Sequence, residues 1–341
     1  MAIPTQLTAF PFAGTPSPNL KGASLLRWGA KHPPIDPHVS FAGKTVLVTG
    51  ANIGLGLESA VKFAQKGASK IILGVRSMQR GEEAKTEILT RSGRDSSCIT
   101  IVQVDLEKYA SVQEFVKKLE KTTRLDIALL NAGLCNQTYV RSAEGHEMAV
   151  QVNVLSTALM ALLLLPLLRK TARETHSPTH MTFVNSAGHA ETEKAWLKDS
   201  LLSTADDEAS FDVRKSYMMV KLLGMVVMKK IARQANDRNE QDGVIVNACC
   251  PGLCRTNLGR NFSLAMKVLT AGFQFFTART AEEGSRTLVG ASALGWESHG
   301  KFWHHDVLFP MSDLLQDEKL VNTCWMEIVQ ALPADTVGSA Q

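Results

Sequence analysis

From Lys44 onward, short runs of consecutive apolar residues alternate with segments that have helical spacing. Strands that are apolar at every position are typical of a parallel sheet that is buried on both faces. The segments between them carry apolar residues three or four positions apart, which is typical of helices that cover such a sheet. The alternation therefore predicts the α/β class, with helices on both faces of a mostly parallel sheet.

The predicted strands are rich in β-branched residues and end in small or polar ones. They cover residues 44–50, 70–75, 99–105, 125–133, 180–188 and 243–252, and Ser298–Pro310 would supply the last strand. Predicted helices cover residues 57–67, 79–91, 111–121, 147–170, 217–236 and 317–332. This order predicts a single doubly wound, Rossmann-type domain, in which ligands bind at the carboxyl ends of the strands.

The composition suits a soluble globular protein, since 45% of the 341 residues are hydrophobic and 21% are charged. The net charge is only +4 and is spread along the chain, so we predict no nucleic-acid partner. The apolar run Ala158–Leu168 is too short to span a bilayer and contains Pro166, which favours a buried helix. Met1–Leu20 lacks the pattern of a secretory signal, so we expect a cytoplasmic protein.

The cysteines and histidines give no pattern typical of a metal site. Cys249, Cys250 and Cys254 are clustered, but no second pair of cysteines or histidines stands nearby at zinc-ligand spacing. His304 and His305 would point to opposite faces if both lay on a strand. We therefore predict free thiols and no metal.

The sequence TGANIGLG, Thr49–Gly56, lies between the first predicted strand and the first predicted helix. A dinucleotide pyrophosphate needs free backbone N–H groups, a helix N-terminus and no Cβ in the way, which glycines at this position provide. The spacing G-x-x-x-G-x-G is weak evidence alone, but its position between strand and helix strengthens it. The predicted phosphate-binding residues are Gly50, Asn52, Ile53, Gly54 and Gly56.

The end of the second strand indicates which dinucleotide binds. NAD sites usually place an acid there for the ribose 2′-hydroxyl, but this strand runs into Arg76 and Ser77, with no acid before Glu82. An arginine favours a 2′-phosphate, although a solvated strand-end charge is the plain alternative. The absence of the acid favours NADP as the cofactor.

Several segments together resemble the short-chain dehydrogenase/reductase family. TGANIGLG, Asn131-Ala132-Gly133, Asn153, Ser186, Tyr217-x-x-x-Lys221 and Pro251-Gly252 occur in the order expected of that family. The resemblance covers about residues 43–332. The sequence around the motifs is similar to the retinol-dehydrogenase-like branch and to fungal members of secondary-metabolite pathways. It implies an NADP(H)-dependent enzyme that interconverts a ketone or aldehyde and an alcohol.

The resemblance also implies a role for each matching residue. Tyr217 would be the general acid/base, and Lys221 would hold the nicotinamide ribose and lower the pKa of Tyr217. Ser186 would bind the substrate oxygen, and Asn153 would anchor a water that links Lys221 to solvent. For the cofactor, Asp105 would meet the adenine, Asn131 and Gly133 would line the adenosine side, and Thr256 would contact the carboxamide.

The chemistry explains why these residue types belong together. Hydride transfer to a carbonyl carbon requires a proton donor at its oxygen, and a free tyrosine has a pKa near ~10, too high for an efficient base. Tyr217 and Lys221 are four apart, so one helical turn can bring both to one cofactor. Each residue has a structural alternative, such as a rim aromatic, a solvated lysine or, for Ser186, a turn residue. The full set favours the functional interpretation.

Other segments of the chain have predicted boundaries but open roles. Residues 1–42 hold seven of the twelve prolines and predict an irregular N-terminal arm before the domain at 43–332, with a tail at 333–341. Residues 257–279 are apolar; the resemblance makes them a substrate lid for a hydrophobic compound, but they could be core, an oligomer contact or a membrane-facing surface. The long gap 187–216 could be a surface insertion or a pocket wall.

Two other function classes compete with the enzyme. One is a non-catalytic NADP-binding sensor or scaffold of the same fold, which the intact Ser186, Tyr217 and Lys221 disfavour. The other is a sugar-nucleotide epimerase or dehydratase, whose relatives tend to use TGxxGxxG. The family resemblance also implies a homo-oligomer, paired through the helices that carry Asn153 and Tyr217.

Overall fold

A computed structural model describes residues 22–121, 124–235, 243–255 and 277–334. Within these ranges eight strands form one sheet. They are β1 (Thr45–Thr49), β2 (Lys70–Val75), β3 (Ile99–Gln103), β4 (Ile127–Leu130), β5 (Thr179–Val184), β6 (Val244–Cys250), β7 (Phe302–His304) and β8 (Val307–Phe309). Each of the six strands predicted between residues 44 and 252 is present.

The strand order is β3-β2-β1-β4-β5-β6-β7-β8, and all neighbouring pairs are parallel except β7 with β8. The chain winds outward from β1 to β3 and then crosses to the other side of β1 to form β4. Loops diverge at such a switch point, which opens a crevice at the carboxyl ends of β1 and β4. The predicted doubly wound, Rossmann-type fold is confirmed.

Helices cover both faces of the sheet, and their ends are set by local capping. Asp212 accepts hydrogen bonds from the backbone N–H groups of Arg214 and Lys215, which starts the helix that carries Tyr217. The helices are α1 (Gly22–Lys31), α2 (Gly54–Gln65), α3 (Met78–Ser92), α4 (Tyr109–Leu119), α5 (Ser156–Thr175), α6 (Leu201–Asp206), α7 (Val213–Gln234), α8 (Ala281–Ala291) and α9 (Glu318–Ala331).

The core lies in two layers, one on each side of the sheet. On β1, Val46 and Val48 pack into the layer of α2, α3 and α8, whereas Leu47 packs into the layer of α4, α5 and α7. All five residues of β1 are buried, as expected for a central parallel strand. Each buried Val or Leu side chain contributes about 1.5–3 kcal/mol, so the strand ends are held by a rigid centre.

The segment Met148–Thr175 is long and apolar enough to cross a membrane by length and composition. However, 72% of its most apolar window is buried inside the protein, as in the core helix of a globular fold. This burial agrees with the helix predicted over residues 147–170.

The N-terminal arm is not irregular throughout, which corrects the sequence-based prediction. Gly22–Lys31 forms α1, and the extended stretch after it contains the buried Pro34 and Pro37. The helix ends before Pro33-Pro34, because a residue that precedes proline avoids the helical conformation. The remaining prolines of the arm, at residue 18 and before, fall outside the described residues.

The segment Ser298–Pro310, predicted as one strand, forms two. His305 and Asp306 have φ values of 52° and 57° and make the two-residue turn between β7 and β8. Left-handed residues at both turn positions match the twist of a hairpin, although Asn-Gly is the usual sequence. The His304 and His305 ring centroids lie 3.8 Å apart, so the two rings do not face opposite sides. Among the described residues, no cluster of three or more potential metal ligands is found.

Candidate active site

A cavity of about 700 Å³ opens at the carboxyl ends of the parallel strands. Its volume is in the range of small-molecule sites. Residues from six successive strand ends line it, namely Gly50, Arg76, Asp105, Asn131, Ser186 and Pro251. The fold therefore brings the strand ends that the sequence singles out to one cavity.

The first strand end has the geometry of a phosphate cradle. Gly50 and Gly54 have φ values of 65° and 58°, the left-handed region that favours glycine. Within the described residues, no side chain caps the N-terminus of α2 at Ile53. Its N–H groups are therefore free to bind an anion, and the helix dipole favours negative charge there.

Gly56 is required by close packing at the base of this cradle. A Cβ at Gly56 would lie 2.3 Å from the carbonyl oxygen of Gly50 and 2.6 Å from Nδ2 of Asn131. Asn131 Nδ2 in turn donates to the carbonyl oxygen of Thr49 at 2.8 Å. A side chain at residue 56 would distort the loop, so the glycine found there agrees with a dinucleotide-binding fold.

The second strand end presents a basic group together with an acid. Arg76 Nη1 lies 2.6 Å from Oε1 of Glu107, which follows β3. Arg76, Ser77, Arg80 and Glu107 all line the cavity. Sequence reasoning missed Glu107, because it is 31 residues away and reaches Arg76 only through the pairing of β2 with β3.

Tyr217, Lys221 and Ser186 converge on the cavity. Tyr217 and Lys221 lie one turn apart on α7, with Lys221 Nζ 5.7 Å from the centroid of the Tyr217 ring. Ser186 follows β5 and lies beside Tyr217, since a Cβ at Gly188 would lie 3.4 Å from Ser186 Oγ and 3.6 Å from Cε1 of the Tyr217 ring. All three side chains line the cavity, so a ligand there meets a phenol, an ammonium and a hydroxyl together.

Burial dominates the ionisation of the tyrosine and lysine in the protein alone. Burial raises the pKa of Tyr217, and the nearby Ser186 hydroxyl only partly offsets this. Burial also lowers the pKa of Lys221. The neutral phenol is therefore stabilised, which suits a proton donor, and a cationic group bound nearby would shift Tyr217 toward the phenolate.

Comparisons with known proteins agree with this geometry. The family model described as short chain dehydrogenase matches residues 44–176. The short-chain dehydrogenase/reductase ffsI of Aspergillus flavipes is 44% identical over 324 residues, which cover 93% of this chain and 94% of that protein. The chain belongs to the short-chain dehydrogenase/reductase family.

Solved structures agree with the fold of this dehydrogenase/reductase. An uncharacterized protein from Mycobacterium paratuberculosis superposes with a TM-score of 0.65 at 22% identity, covering 89% of this chain and 96% of that one. An alcohol dehydrogenase from the archaeon Thermococcus sibiricus, complexed with 5-hydroxy-NADP, superposes with a TM-score of 0.55 at 19% identity. That match covers 76% of this chain and 95% of the archaeal chain.

In this dehydrogenase/reductase, Asn185 connects the loop after β5 to α7. Its Nδ2 donates to the carbonyl oxygen of Lys221 at 3.1 Å, and its Oδ1 accepts the backbone N–H of Ser186 at 2.7 Å. A Cβ at Gly224 would lie 3.0 Å from this Nδ2, so the glycine allows the approach. The sequence analysis assigned no role to Asn185, although an amide directly before Ser186 is a usable signal.

Asn153 lies in a π-helical turn, Gln151–Leu155, just before α5. Its Oδ1 accepts the backbone N–H of Leu134 at 2.9 Å, and its Nδ2 donates to the Leu134 carbonyl at 2.8 Å. The side chain thereby fixes the loop after β4, and π-helical turns often mark functional sites. Its link to Lys221 through water stays a prediction.

Cys250 and His304 are cavity residues that sequence reasoning did not assign. His304 Nδ1 lies 3.0 Å from the carbonyl oxygen of Cys250, and the Gly252 N–H donates to Cys250 Sγ at 3.3 Å. Burial raises the pKa of Cys250, but His304 and the backbone N–H groups of Ala187 and Gly252 outweigh it and lower the pKa to about 7. The cavity therefore holds a second ionisable pair next to Tyr217.

The gap 187–216 contributes both to the cavity and to the core. At its ends, Gly188, Glu191 and Arg214 line the cavity. In its middle, Leu201 and Leu202 are buried in the main core. The pocket-wall alternative is supported at the two ends, and the middle is anchored rather than a loose surface insertion.

The predicted site residues are brought together almost completely. The cavity is lined by Gly50, Asn52, Ile53, Gly54, Arg76, Asp105, Asn131, Asn153, Ser186, Tyr217 and Lys221. Gly56 supports the cradle from behind. Thr256 and the predicted lid up to residue 276 lie outside the described residues, as does the tail after residue 334.

Proposed function

We propose that this dehydrogenase/reductase interconverts a ketone or aldehyde and an alcohol on a hydrophobic substrate, with NADP(H), in fungal secondary-metabolite biosynthesis. The observation that carries the proposal is the convergence of Ser186, Tyr217 and Lys221 on one cavity with the phosphate cradle. The fungal origin of the 44% identical relative supports the setting. A non-catalytic scaffold would not need this set of side chains.

NADP is proposed over NAD because of the second strand end. Arg76 and Arg80 line the cavity there, and an arginine pairs well with a 2′-phosphate. The archaeal structure with the same fold holds 5-hydroxy-NADP. Glu107 would have to release Arg76 when a phosphate binds, and an exposed ion pair of this kind costs only about 0–1 kcal/mol to break.

The proposed mechanism assigns proton transfer to Tyr217. The nicotinamide, when bound, supplies or accepts the hydride. Tyr217 donates its phenolic proton to the substrate oxygen in reduction and takes it back in oxidation. The Ser186 hydroxyl holds the same oxygen and stabilises the charge that develops on it. Lys221 would hold the ribose and favour the phenolate.

The substrate is proposed to be hydrophobic because apolar groups stand beside the reacting residues. Leu134, Ala187, Val213 and Met218 line the cavity together with Tyr217. Apolar walls with few polar groups are typical of sites for hydrophobic compounds. Of the predicted lid 257–279, residues 257–276 lie outside the described residues and are still proposed to complete the substrate side, whereas Arg279 bonds to the N-terminal arm.

Replacement of the phenol tests the proposal. Tyr217→Phe should lower NADPH-dependent reduction of hydrophobic ketones by about 100-fold to 10,000-fold and leave the Kd for NADPH close to wild type. Tyr139→Phe is the matched control, because Tyr139 bonds to the Asp206 carbonyl away from the cavity. Unchanged turnover in Tyr217→Phe would contradict the mechanism. NADPH binding without turnover of any ketone or alcohol in a broad panel would favour the scaffold.

A further inference from the structure

The N-terminal arm packs against the open end of the cavity. Leu26, Gly29 and Ala30 of α1 line the cavity together with residues of the glycine-rich loop. The arm precedes the domain in sequence, and its described part, residues 22–42, contributes no strand to the sheet. It nevertheless forms a piece of the wall that faces the expected cofactor.

Arg279 joins the arm to the loop after β6 by hydrogen bonds to backbone carbonyls of both, and these bonds are called the Arg279 clasp. Its Nε donates to the carbonyl oxygen of Gly29 at 2.8 Å, and its Nη2 donates to that of His32 at 2.9 Å. Its Nη1 donates to the carbonyl oxygen of Pro251 at 3.0 Å. Arg279 is only 3% exposed, so the clasp is an interior feature.

The contact between α1 and the β7–β8 turn is close. A Cβ at Gly29 would lie 2.8 Å from Cε1 of His305, so a larger residue would have to push the helix away. His305 Nδ1 also lies 2.9 Å from Nη2 of Arg279, which restrains the imidazole. The Trp28 ring meets His305 edge-on with centroids 5.0 Å apart. The glycine is needed for the arm to dock.

A second anchor ties the arm to the helix that begins at the phosphate cradle. Asp36 pairs with Lys62 of α2 at 3.0 Å and with Lys66, directly after α2, at 3.3 Å. Lys62 also pairs with Glu282 of α8 at 2.6 Å. The arm is therefore connected to both structures that would hold a dinucleotide, α2 and the loop after β6.

The position of the Arg279 clasp indicates that it affects binding of the cofactor rather than binding of the substrate. Gly284 of α8 packs between Pro251 and Leu55: a Cβ on Gly284 would lie 3.3 Å from Pro251 and 2.8 Å from Leu55. Leu55 lies in the first turn of α2, within the glycine-rich segment Thr49–Gly56. By contrast, the three atoms nearest to a Cβ at Gly188 belong to Ser186, Tyr217 and Met218, which are residues of the reacting end of the cavity.

We infer that α1 is a wall of the cofactor site and that the Arg279 clasp couples docking of the arm to retention of the dinucleotide. The inference rests on the proposed function. Within the described residues, Arg279 hydrogen-bonds to neutral groups while Asp306 and Glu283 stabilise its charge, so its role is to hold the arm against the loop after β6. If the docked arm tightens cofactor binding, linkage requires that the bound cofactor stabilises the docked arm by the same free energy.

The test combines hydrogen exchange of residues 24–38 with NADPH dissociation measured by stopped-flow fluorescence. Gly29→Val places a side chain against His305 and should displace the arm. Arg27→Val is the matched control, because it puts the same β-branched residue on the exposed side of the same helix. Arg279→Gln removes the charge and two of the clasp donors, and exchange in β4 and β5 reports whether the domain stays folded.

The expected result is faster exchange of the arm in Gly29→Val or Arg279→Gln, with NADPH dissociation faster on the order of tenfold. Arg27→Val should match wild type, and NADPH should slow exchange of the arm in the wild-type protein. If a variant displaces the arm but NADPH dissociates from it within about twofold of the wild-type rate, this inference is overturned and the proposed function is not affected. Arm exchange that neither variant changes would also overturn this inference. Wild-type protein that binds neither NADPH nor NADH would contradict the proposed function and, with it, this inference.

Discussion

The side-chain amide of Asn185 donates a hydrogen bond to the carbonyl oxygen of Lys221 at 3.1 Å. The same side chain accepts the backbone N–H of Ser186 at 2.7 Å. One residue thus sets the distance between the loop that carries the proposed substrate-binding hydroxyl and the helix that carries the proposed acid and lysine. Asn185 is only 7% exposed, so water does not readily replace these bonds.

Asn185→Ala should therefore impair turnover more than cofactor binding. It leaves the Ser186 N–H without this partner, at a cost of about 1–3 kcal/mol, whereas the Lys221 carbonyl keeps its bond within the helix. We expect kcat to fall by about 10-fold to 100-fold as Ser186 and Tyr217 lose alignment. Steady-state kinetics with a ketone substrate would measure the change.

Asn185→Ser is the conservative partner for that variant, because serine can keep one of the two hydrogen bonds. Its kcat should lie between those of wild type and Asn185→Ala, and KM for NADPH should change little in both. A kcat of Asn185→Ala equal to wild type would show that Asn185 does not position the site.

Arg76 and Glu107 should control cofactor preference in opposite directions. Arg76→Ala removes the proposed 2′-phosphate partner and should raise the Kd for NADPH by about 10-fold to 100-fold while leaving that for NADH nearly unchanged. Glu107→Gln frees Arg76 from its 2.6 Å ion pair and should lower the Kd for NADPH several-fold. Fluorescence titration with both cofactors would measure these constants.

Arg91→Ala is a suitable control for the loss of an arginine. Arg91 lies at the end of α3, pairs with Glu58 and Glu87, and is not among the cavity residues. It should leave the ratio of the two Kd values at the wild-type level. A wild-type protein that prefers NADH would overturn the assignment of Arg76.

The sequence predicted the fold and most of the site because both depend on local patterns. A buried parallel strand such as β1 is apolar at every position, and Tyr217 and Lys221 share a helix face through their spacing alone. Strand ends meet at one edge of any doubly wound sheet. The residues that these rules select therefore line one cavity in the structure, while their roles stay predictions.

The features that sequence reasoning missed depend on contacts between distant parts of the chain. Arg279 reaches Gly29 across 250 residues, and Arg76 reaches Glu107 across 31. The turn at His305-Asp306 lacks the Asn-Gly signal of a hairpin, so the sequence alone predicts a continuous strand there. Helix α1 was obscured by the prolines on either side of it.

Gly56→Ala should disrupt the phosphate cradle. The new Cβ would lie 2.3 Å from the Gly50 carbonyl oxygen, which is backbone and cannot move without distorting the loop. We expect the protein to melt at a lower temperature and the Kd for NADPH to rise by at least about tenfold. Thermal melting with and without NADPH would measure both effects.

Gly290→Ala is the matched control, since it is another glycine inside a helix. Among the described residues its Cβ would meet only Pro37, at 4.0 Å, so helix propensity should stabilise the protein by up to about 1 kcal/mol. If Gly56→Ala bound NADPH as tightly as this control, the cradle would not depend on close packing at Gly56.

His180 should make the fold less stable in mild acid. Burial lowers the pKa of His180 to about 4, although its hydrogen bond to the Leu294 carbonyl opposes the shift. The imidazole is thus neutral in the fold, whereas the unfolded chain takes up a proton below its pKa of about 6.5. The contribution of His180 to the free energy of unfolding is therefore complete above pH ~6.5 and falls as the pH drops toward ~4, by roughly 3 kcal/mol.

Urea unfolding of the wild-type protein and of His180→Gln at several pH values would isolate this contribution. The variant should lose less stability over that interval, and His38→Gln, at an exposed position, should behave as wild type. Parallel curves for wild type and His180→Gln would show that His180 is not the residue responsible.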